Sequence, residues 1–182
     1  MLNNWSRIAR RIRVPCGFLF AAFYLWRARP NYVSLALSLL LVVPGALLRA
    51  YASGYVKKNA ELTVTGPYSY TRNPLYLGSM LMAFGFAAAS RSLGISILLT
   101  LLFLLIYAPT IYSEEQFLRS TFPAFDSYAK RVPRLLPRLT PAHMEGDGSF
   151  SGTLYRQHRE YNSVLGVCAV YAVLLAALWL RH

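Results

Sequence analysis

The chain has 182 residues, of which 55% are hydrophobic and only 14% are charged. Soluble domains carry roughly 25% charged residues on average, so this composition excludes an intrinsically disordered chain and argues against an ordinary soluble domain. Nineteen Lys and Arg residues outweigh seven Asp and Glu, which gives a formal net charge of +12. With so few charges overall, this excess indicates a membrane protein with basic loops rather than a nucleic-acid-binding protein. The length is that of a single domain, 1–182.

Five apolar segments predict an all-α, polytopic transmembrane protein with about five membrane helices. In chain order they cover residues 14–26, 32–51, 75–89, 93–112 and 163–180. The first lies between Arg13 and Arg27 and is short for a bilayer, so we interpret it as a retained, tilted or partly embedded helix. Pro44 and Gly45 predict a kink in the second. Only three residues separate the third from the fourth, which predicts a tight helical hairpin, and a charged boundary capped by Asn162 precedes the fifth.

The basic residues predict the topology. If the N-terminus is cytoplasmic, fourteen of the nineteen Lys and Arg residues fall on the cytoplasmic side, as the positive-inside rule expects. Both polar regions, 53–73 and 113–162, then face that side, where their residues can meet in one site. We therefore expect an integral membrane protein of a bacterial inner membrane or an endoplasmic-reticulum-type membrane, with its N-terminus and active site cytoplasmic.

The first polar region ends in GPYSYTRNPLYLG, residues 66–78. Pro74 suits the first turn of the third helix and Asn73 its N-cap position. A helix N-terminus beside Arg72 also provides a site for an anion. The alternative is a simple capped helix start flanked by interfacial tyrosines.

The second polar region begins with Glu114 and Glu115, which we expect at the C-terminal end of the fourth membrane helix. They are either a solvated pair at the membrane edge or carboxylates that bind a cationic group or ribose hydroxyls of a cofactor. A short helix over residues 125–131 should end before Pro133. Arg131 and Arg134 could then bind anionic lipid head groups or hold an anionic substrate.

Taken in this order, the motifs resemble the isoprenylcysteine carboxyl methyltransferase family and the related bacterial phospholipid methyltransferases. They are Gly66-Pro67-Tyr68, the stretch from Arg72 to Gly78, Glu114-Glu115, Tyr128 and the Val-Pro-Arg stretch 132–134. The resemblance covers about residues 62–137, less than half of the chain. It implies an integral-membrane methyltransferase that uses S-adenosylmethionine at the cytoplasmic membrane face and takes a lipophilic carboxylate or amine from the bilayer.

The resemblance also implies a division of the chain and roles for its residues. Residues 62–137 would form the cofactor-binding core, 138–162 a cytoplasmic loop and 163–180 a C-terminal membrane helix. The implied cofactor-binding residues are Tyr68, Arg72, Asn73, Pro74, Tyr76, Gly78, Glu114, Glu115 and Tyr128, and the implied catalytic residues are Arg131, Arg134 and Glu115. Asn73 stands where the family has His, and it can form a hydrogen bond to the cofactor but cannot titrate near neutral pH.

Methyl transfer from a sulfonium needs alignment of the reactants and exclusion of water, without a metal or a nucleophilic side chain. A carboxylate substrate would need no base, whereas an amine could lose its proton to Glu114 or Glu115. Two other functions stay open at this point. One is a nicotinamide-dependent oxidoreductase similar to the sterol reductases, and the other is a non-enzymatic protein that binds anionic lipids through its basic patches.

Overall fold

A computed structural model describes residues 2–57, 61–143, 146 and 148–180, with the backbone alone for residues 2–14. Their regular structure is entirely helical, which confirms the all-α prediction. The helices are α1 (Leu2–Arg27), α2 (Tyr32–Ser53), α3 (Pro74–Ser90), α4 (Leu93–Leu102), α5 (Ala108–Thr121), α6 (Phe125–Arg131), α7 (Gly152–Gln157) and α8 (Tyr161–Trp179). A 3-10 turn covers Gly66–Ser69, and a π-helical turn, Phe103–Tyr107, joins α4 to α5 in one continuous helix.

Three helices are long and apolar enough to cross a membrane: Tyr32–Ser53, Leu93–Thr121 and Tyr161–Trp179. α3 is apolar but shorter, with 17 residues. The first predicted segment, 14–26, forms the second half of α1, a helix of 26 residues that begins at Leu2, before the first arginine, Arg7. The described residues therefore support three of the five predicted spans by length and composition.

α2 and α3 form the most extensive helix pair, because glycines let their backbones approach closely. A Cβ atom on Gly78 would lie 2.6 Å from the Gly45 carbonyl oxygen, and one on Gly85 would lie 2.5 Å from Val42 Cγ2. Pro44 lies inside α2, which continues through it to Ser53. This pair is the framework from which the Arg72–Asn73 turn projects.

The short break predicted between α3 and α4 is present, with Arg91 in the left-handed conformation (φ 52°) and Ser92 capping α4 by accepting from the Ile95 amide. The predicted end of the fourth helix, within residues 113–116, is wrong. The helix continues to Thr121 because no Pro or Gly interrupts the polar residues before Pro123. Glu114 and Glu115 consequently lie inside α5, not at its C-terminal end.

The start of the last helix also differs from the prediction. α8 begins at Tyr161, with Glu160 at the N-cap position, so Asn162 lies within the first turn and is not the cap. Arg159 precedes it in the left-handed conformation (φ 53°). The Glu160 carboxylate instead pairs with Arg49 of α2 at 2.8 Å, with both side chains largely buried, and this contact fastens α8 to the α2–α3 pair.

Candidate active site

A cavity of about 480 Å³ lies where the Arg72–Asn73 turn faces α5 and α6. Its volume is within the range of small-molecule sites. Eight of the predicted site residues line it, from three separate parts of the chain: Tyr68, Arg72, Asn73, Pro74, Tyr76, Glu114, Glu115 and Tyr128. The fold therefore brings together the motifs that the sequence holds up to 60 residues apart.

Glu115 is the hub of this site and is only 4% exposed. Its Oε1 accepts a hydrogen bond from Asn73 Nδ2 at 3.2 Å and lies 3.4 Å from Arg72 Nε. Its Oε2 accepts from Arg134 Nε and Nη2 at 3.0 and 2.9 Å. One carboxylate thus connects α5 to the start of α3 and to the Val-Pro-Arg stretch, and both of its oxygens are occupied by protein groups.

Asn73 occupies the N-cap position of α3 as predicted, but its side chain does not cap the helix. Its amide donates instead to Glu115 Oε1 and, at 2.9 Å, to the carbonyl oxygen of Arg134. Both N–H donors are therefore used within the protein. In this arrangement Asn73 positions Glu115 and Arg134.

The strap, which we define as residues 133–142, crosses the Arg72–Asn73 turn and closes one side of the site. The Arg72 amide donates to the Pro133 carbonyl at 2.9 Å. The buried Thr71 hydroxyl donates to the carbonyl of Leu135 at 3.0 Å, and the Arg138 amide donates to that of Tyr70. The backbone carbonyls of the Val-Pro-Arg motif thus accept hydrogen bonds from the Arg72–Asn73 turn, which explains why the two motifs occur together.

Arg72 and Lys57 are the cationic residues in the cavity lining, and Arg72 is the more buried of the two. Its side chain is 11% exposed, and its Cζ lies 5.9 Å from the ring centroid of Phe125. Its Nε is buried and has no hydrogen-bond partner among the described residues, since Glu115 Oε1 lies at ion-pair distance but not in hydrogen-bond geometry. A buried donor left in this state costs free energy unless a ligand satisfies it.

Glu114, beside the buried Glu115, is exposed and lines the cavity. Its Oε1 accepts a hydrogen bond from Tyr76 Oη at 2.8 Å. The pair joins the first turn of α3 to α5. Adjacent glutamates in one helix thus have different environments, because successive residues of a helix point about 100° apart.

Aromatic side chains form a further part of the cavity wall, next to Arg72. Tyr128 Oη donates to the Tyr68 carbonyl at 2.7 Å, and Tyr128 packs edge-on against Phe125. Burial raises the pKa values of the Tyr68 and Tyr128 hydroxyls well above the ordinary tyrosine value, so both remain neutral. They therefore act as fixed polar and apolar surface, not as titrating groups.

Three predicted residues lie outside the cavity lining. Gly78 packs against Gly45 and against the Arg49 side chain, and its role in the structure is close helix contact. Arg134 reaches the site through Glu115, and its side chain is 54% exposed. Arg131 is exposed at the end of α6, where its Nη1 donates to the His143 carbonyl at 3.4 Å.

Several lining residues were missed by the sequence reasoning. Phe125 was treated only as the start of a short helix, although it is buried and lies under two arginines. Lys57 and Glu61, paired at 2.8 Å, and Thr63 also line the cavity. Phe125 lies one helical turn before the motif residue Tyr128, and this spacing could have identified it as a member of the site. Among the described residues, no group of three or more His, Cys, Asp or Glu side chains could hold a metal ion.

Comparisons with known proteins agree with this picture. Residues 45–124 match the model of the phospholipid methyltransferase family. The chain is 39% identical over 135 residues to the cobalt-zinc-cadmium resistance protein CzcN of Cupriavidus metallidurans, covering 70% of this chain and 62% of that protein. It is 42% identical over 90 residues to the nickel-cobalt-cadmium resistance protein NccN of Alcaligenes xylosoxydans xylosoxydans, covering 50% and 41%.

The chain thus spans less than two thirds of either relative. No solved structure matches it significantly. The matched segment begins in the second half of α2 and ends before α6, so it contains the Arg72–Asn73 turn and both glutamates. The resemblance that the motifs indicated is therefore confirmed: residues 45–124 of this chain are similar to the phospholipid methyltransferases.

Proposed function

We propose that this protein is a membrane methyltransferase that uses S-adenosylmethionine to methylate a lipophilic carboxylate or amine. The observation that carries the proposal is Arg72, a cation that lines the cavity with a buried Nε lacking a hydrogen-bond partner among the described residues. It lies in the segment that matches a methyltransferase family. A carboxylate is the ligand that the planar guanidinium suits best.

The other residues of the cavity fit the remaining parts of this cofactor. Glu114 offers a carboxylate to the cofactor's ammonium group or ribose hydroxyls. Phe125, Tyr128 and Tyr68 are largely buried and give the cavity an aromatic side. Pro74 and Tyr76 complete the lining at the mouth of α3. The donor set therefore matches a zwitterionic nucleoside better than a purely apolar ligand.

When bound, the cofactor supplies an electrophilic methyl group, and the residues of this chain have to hold and orient the partners. Glu115 holds Arg72 and Arg134 in place, and because protein donors engage both of its oxygens it is a positioning residue. An amine acceptor would give its proton to Glu114, the carboxylate that is exposed to the cavity. A carboxylate acceptor would need no base, and the catalytic roles implied for Arg131 and Arg134 stay predictions, because both side chains lie outside the cavity lining.

The membrane setting supports a lipophilic acceptor. Three helices are long and apolar enough to cross a bilayer, and the excess of Lys and Arg in both polar regions favours a cytoplasmic site. The two curated relatives are named for metal resistance. If this chain also takes part in metal resistance, we propose that it does so by methylating a membrane component.

Calorimetry with S-adenosylhomocysteine on detergent-purified protein tests the proposal. Arg72→Gln is compared with Arg119→Gln, because both arginines lie over the ring of Phe125 but only Arg72 lines the cavity. We expect Arg72→Gln to weaken binding by about tenfold to a hundredfold, the worth of a charged hydrogen bond. Arg119→Gln should leave the affinity unchanged.

Equal affinities in the two variants, or no binding by the wild-type protein, would refute the proposal. The same preparation distinguishes the alternative chemistry. Thermal stabilisation by NADPH without stabilisation by S-adenosylhomocysteine would favour the oxidoreductase. Salt-sensitive binding to anionic vesicles with no saturable small-molecule site would favour the lipid-binding protein.

A further inference from the structure

A second cavity, of about 290 Å³, lies among the helices. Its walls come from α1, α3, the continuous α4–α5 helix and one residue of α8. α1 and α8 lie outside residues 45–124, the segment that matches the methyltransferase family. Two of the four helices that surround this cavity, α1 and α8, therefore come from sequence outside the family match.

The lining of this second cavity is mostly apolar, and the hydroxyls of Tyr24 and Ser79 already have protein partners. Tyr24 Oη donates to the Phe86 carbonyl at 2.9 Å. Ser79 Oγ donates to the Leu75 carbonyl at 3.0 Å and also accepts from Arg49. These two hydroxyls are therefore engaged, and apart from Cys16 and Tyr107 the other lining residues are apolar, so the cavity suits a hydrocarbon chain.

The two cavities meet at a pair of tyrosines. Tyr76 lines the polar cavity and Tyr107 lines the apolar one, and their rings pack edge to face with centroids 5.7 Å apart. Tyr76 Oη is bonded to Glu114, and Ser79 of the apolar cavity lies one turn further along α3. Tyr107 ends the π-helical turn, a local irregularity that often accompanies functional sites.

The size of the apolar cavity limits its occupant. An apolar cavity of about 150 Å³ holds one benzene molecule, so 290 Å³ accommodates about twelve carbon atoms. The lining extends from Ser79 to Phe86 along α3, which at about 1.5 Å per residue is roughly 10 Å. A fully extended chain advances about 1.2 Å per bond, as three backbone bonds span 3.3–3.6 Å, so this length holds about nine bonds. Both estimates describe a single hydrocarbon chain.

We propose that one hydrocarbon chain of the methyl acceptor occupies this apolar cavity over about ten to twelve carbons, with its head group beside Tyr76 and Glu114. The proposal rests on the proposed methyltransferase function for the identity of the ligand as acceptor. The chain can belong to a single-chain amphiphile or to one arm of a diacyl lipid. In either case α1 and α8 select the acceptor, while the polar cavity holds the cofactor.

Photolabelling of the full-length protein in lipid nanodiscs tests this inference. The probe is a primary amine on a single chain of about twelve carbons with an aliphatic diazirine near its end. Labelled peptides are mapped by mass spectrometry in the presence of S-adenosylhomocysteine. Ala83→Phe fills the cavity, and Ala88→Phe makes the same change on an exposed position of the same helix.

We expect labels on cavity residues of α1 and α3 in the wild-type protein and in Ala88→Phe. In Ala83→Phe these labels should fall about tenfold, because the filled cavity removes the packing contacts of several methylene groups. Phe20→Ala, which enlarges the cavity, should increase labelling there by a longer-chain probe. A parallel experiment uses a diacyl lipid with the diazirine on one of its chains. Labelling of cavity residues by this probe would show that the occupant is one chain of a diacyl lipid.

Equal cavity labelling in Ala83→Phe and Ala88→Phe, or labels only at lipid-exposed positions such as Leu101 and Leu104, would overturn the inference. Binding of S-adenosylhomocysteine by each variant, measured separately, shows that the fold is intact. If the wild-type protein labels in the cavity but binds no S-adenosylhomocysteine, the proposed function fails and the hydrocarbon site stands. If the cofactor analogue binds and the cavity does not label, the hydrocarbon site fails and the proposed function stands.

Discussion

Removing the negative charge of Glu115 should destabilise the fold far more than removing that of its neighbour Glu114. Glu115→Gln keeps the side-chain shape but places an amide where Asn73 and Arg134 now donate and where Arg72 is paired. The new NH₂ group then faces other donors, whichever way the amide turns. Glu114→Gln keeps an oxygen that can still accept from Tyr76.

The structure sets the size of the difference. Removing one partner of a buried ion pair costs about 3–5 kcal/mol, and Arg72 is only 11% exposed. Arg134 is 54% exposed, so water can solvate its guanidinium once the ion pair with Glu115 is gone. The lower end of that range therefore applies. We expect Glu115→Gln to lower the free energy of unfolding by about 3 kcal/mol and Glu114→Gln by no more than about 0.5 kcal/mol.

Equilibrium unfolding in mixed micelles with increasing denaturing detergent measures both values. The two variants change the net charge by the same amount at adjacent positions, so general effects on detergent binding cancel between them. Losses of unfolding free energy that agree within about 0.5 kcal/mol would refute the description of Glu115 as the hub of the site.

Two further predictions use the same unfolding assay, and a third uses the melting temperature. Gly78→Ala should cost about 1–3 kcal/mol through overpacking against α2, while Gly166→Ala, where a Cβ has open space in α8, should be neutral or stabilising; equal effects would contradict the close α2–α3 contact. A double-mutant cycle of Arg49→Gln and Glu160→Gln should give a coupling of about 2 kcal/mol from the bidentate pair, and additive losses would show that the pair does not fasten α8. Asn73→Asp should lower the melting temperature, because it removes two donors and faces a carboxylate oxygen now 3.2 Å from the Asn73 amide nitrogen; an unchanged melting temperature would argue against the positioning role.

Hydropathy and turn residues predicted the helix ends correctly where nearby residues, such as prolines, determine them. The break between α3 and α4 and the end of α6 follow directly from a short polar stretch and from a proline. The end of α5 was missed because its last two turns are polar and resemble a loop, although nothing in them breaks a helix. α7 was missed because a helix of only six residues is too short to show a helical period of apolar residues.

Residue order predicted the members of the site better than their contacts. The resemblance brought the turn, the glutamates and Tyr128 together, but it could not show that Glu115 is fully engaged while Glu114 is open to the cavity. That difference arises from helix rotation and from the strap, which depends on long-range hydrogen bonds to Thr71 and Asn73. The division of the chain into a core, 62–137, a loop, 138–162, and a last helix, 163–180, stays a prediction.

Glu160 shows where single-sequence reasoning reaches its limit. A charged boundary before an apolar helix is ordinary, and nothing local indicates that its partner lies 111 residues earlier in α2. Arg49 is likewise an isolated charge near the end of an apolar segment in the sequence, whereas in the structure its guanidinium also donates to the Leu75 carbonyl. Only the packing of three helices brings these groups together.

Methyl transfer itself tests the central claim most directly. Purified protein is incubated with S-adenosylmethionine carrying a labelled methyl group and with a total lipid extract, and organic-soluble label is measured for wild type, Arg72→Gln and Arg119→Gln. The account predicts transfer by the wild type and by Arg119→Gln, and a loss of about tenfold or more in Arg72→Gln. No transfer by the wild type, or equal transfer by all three proteins, would contradict it.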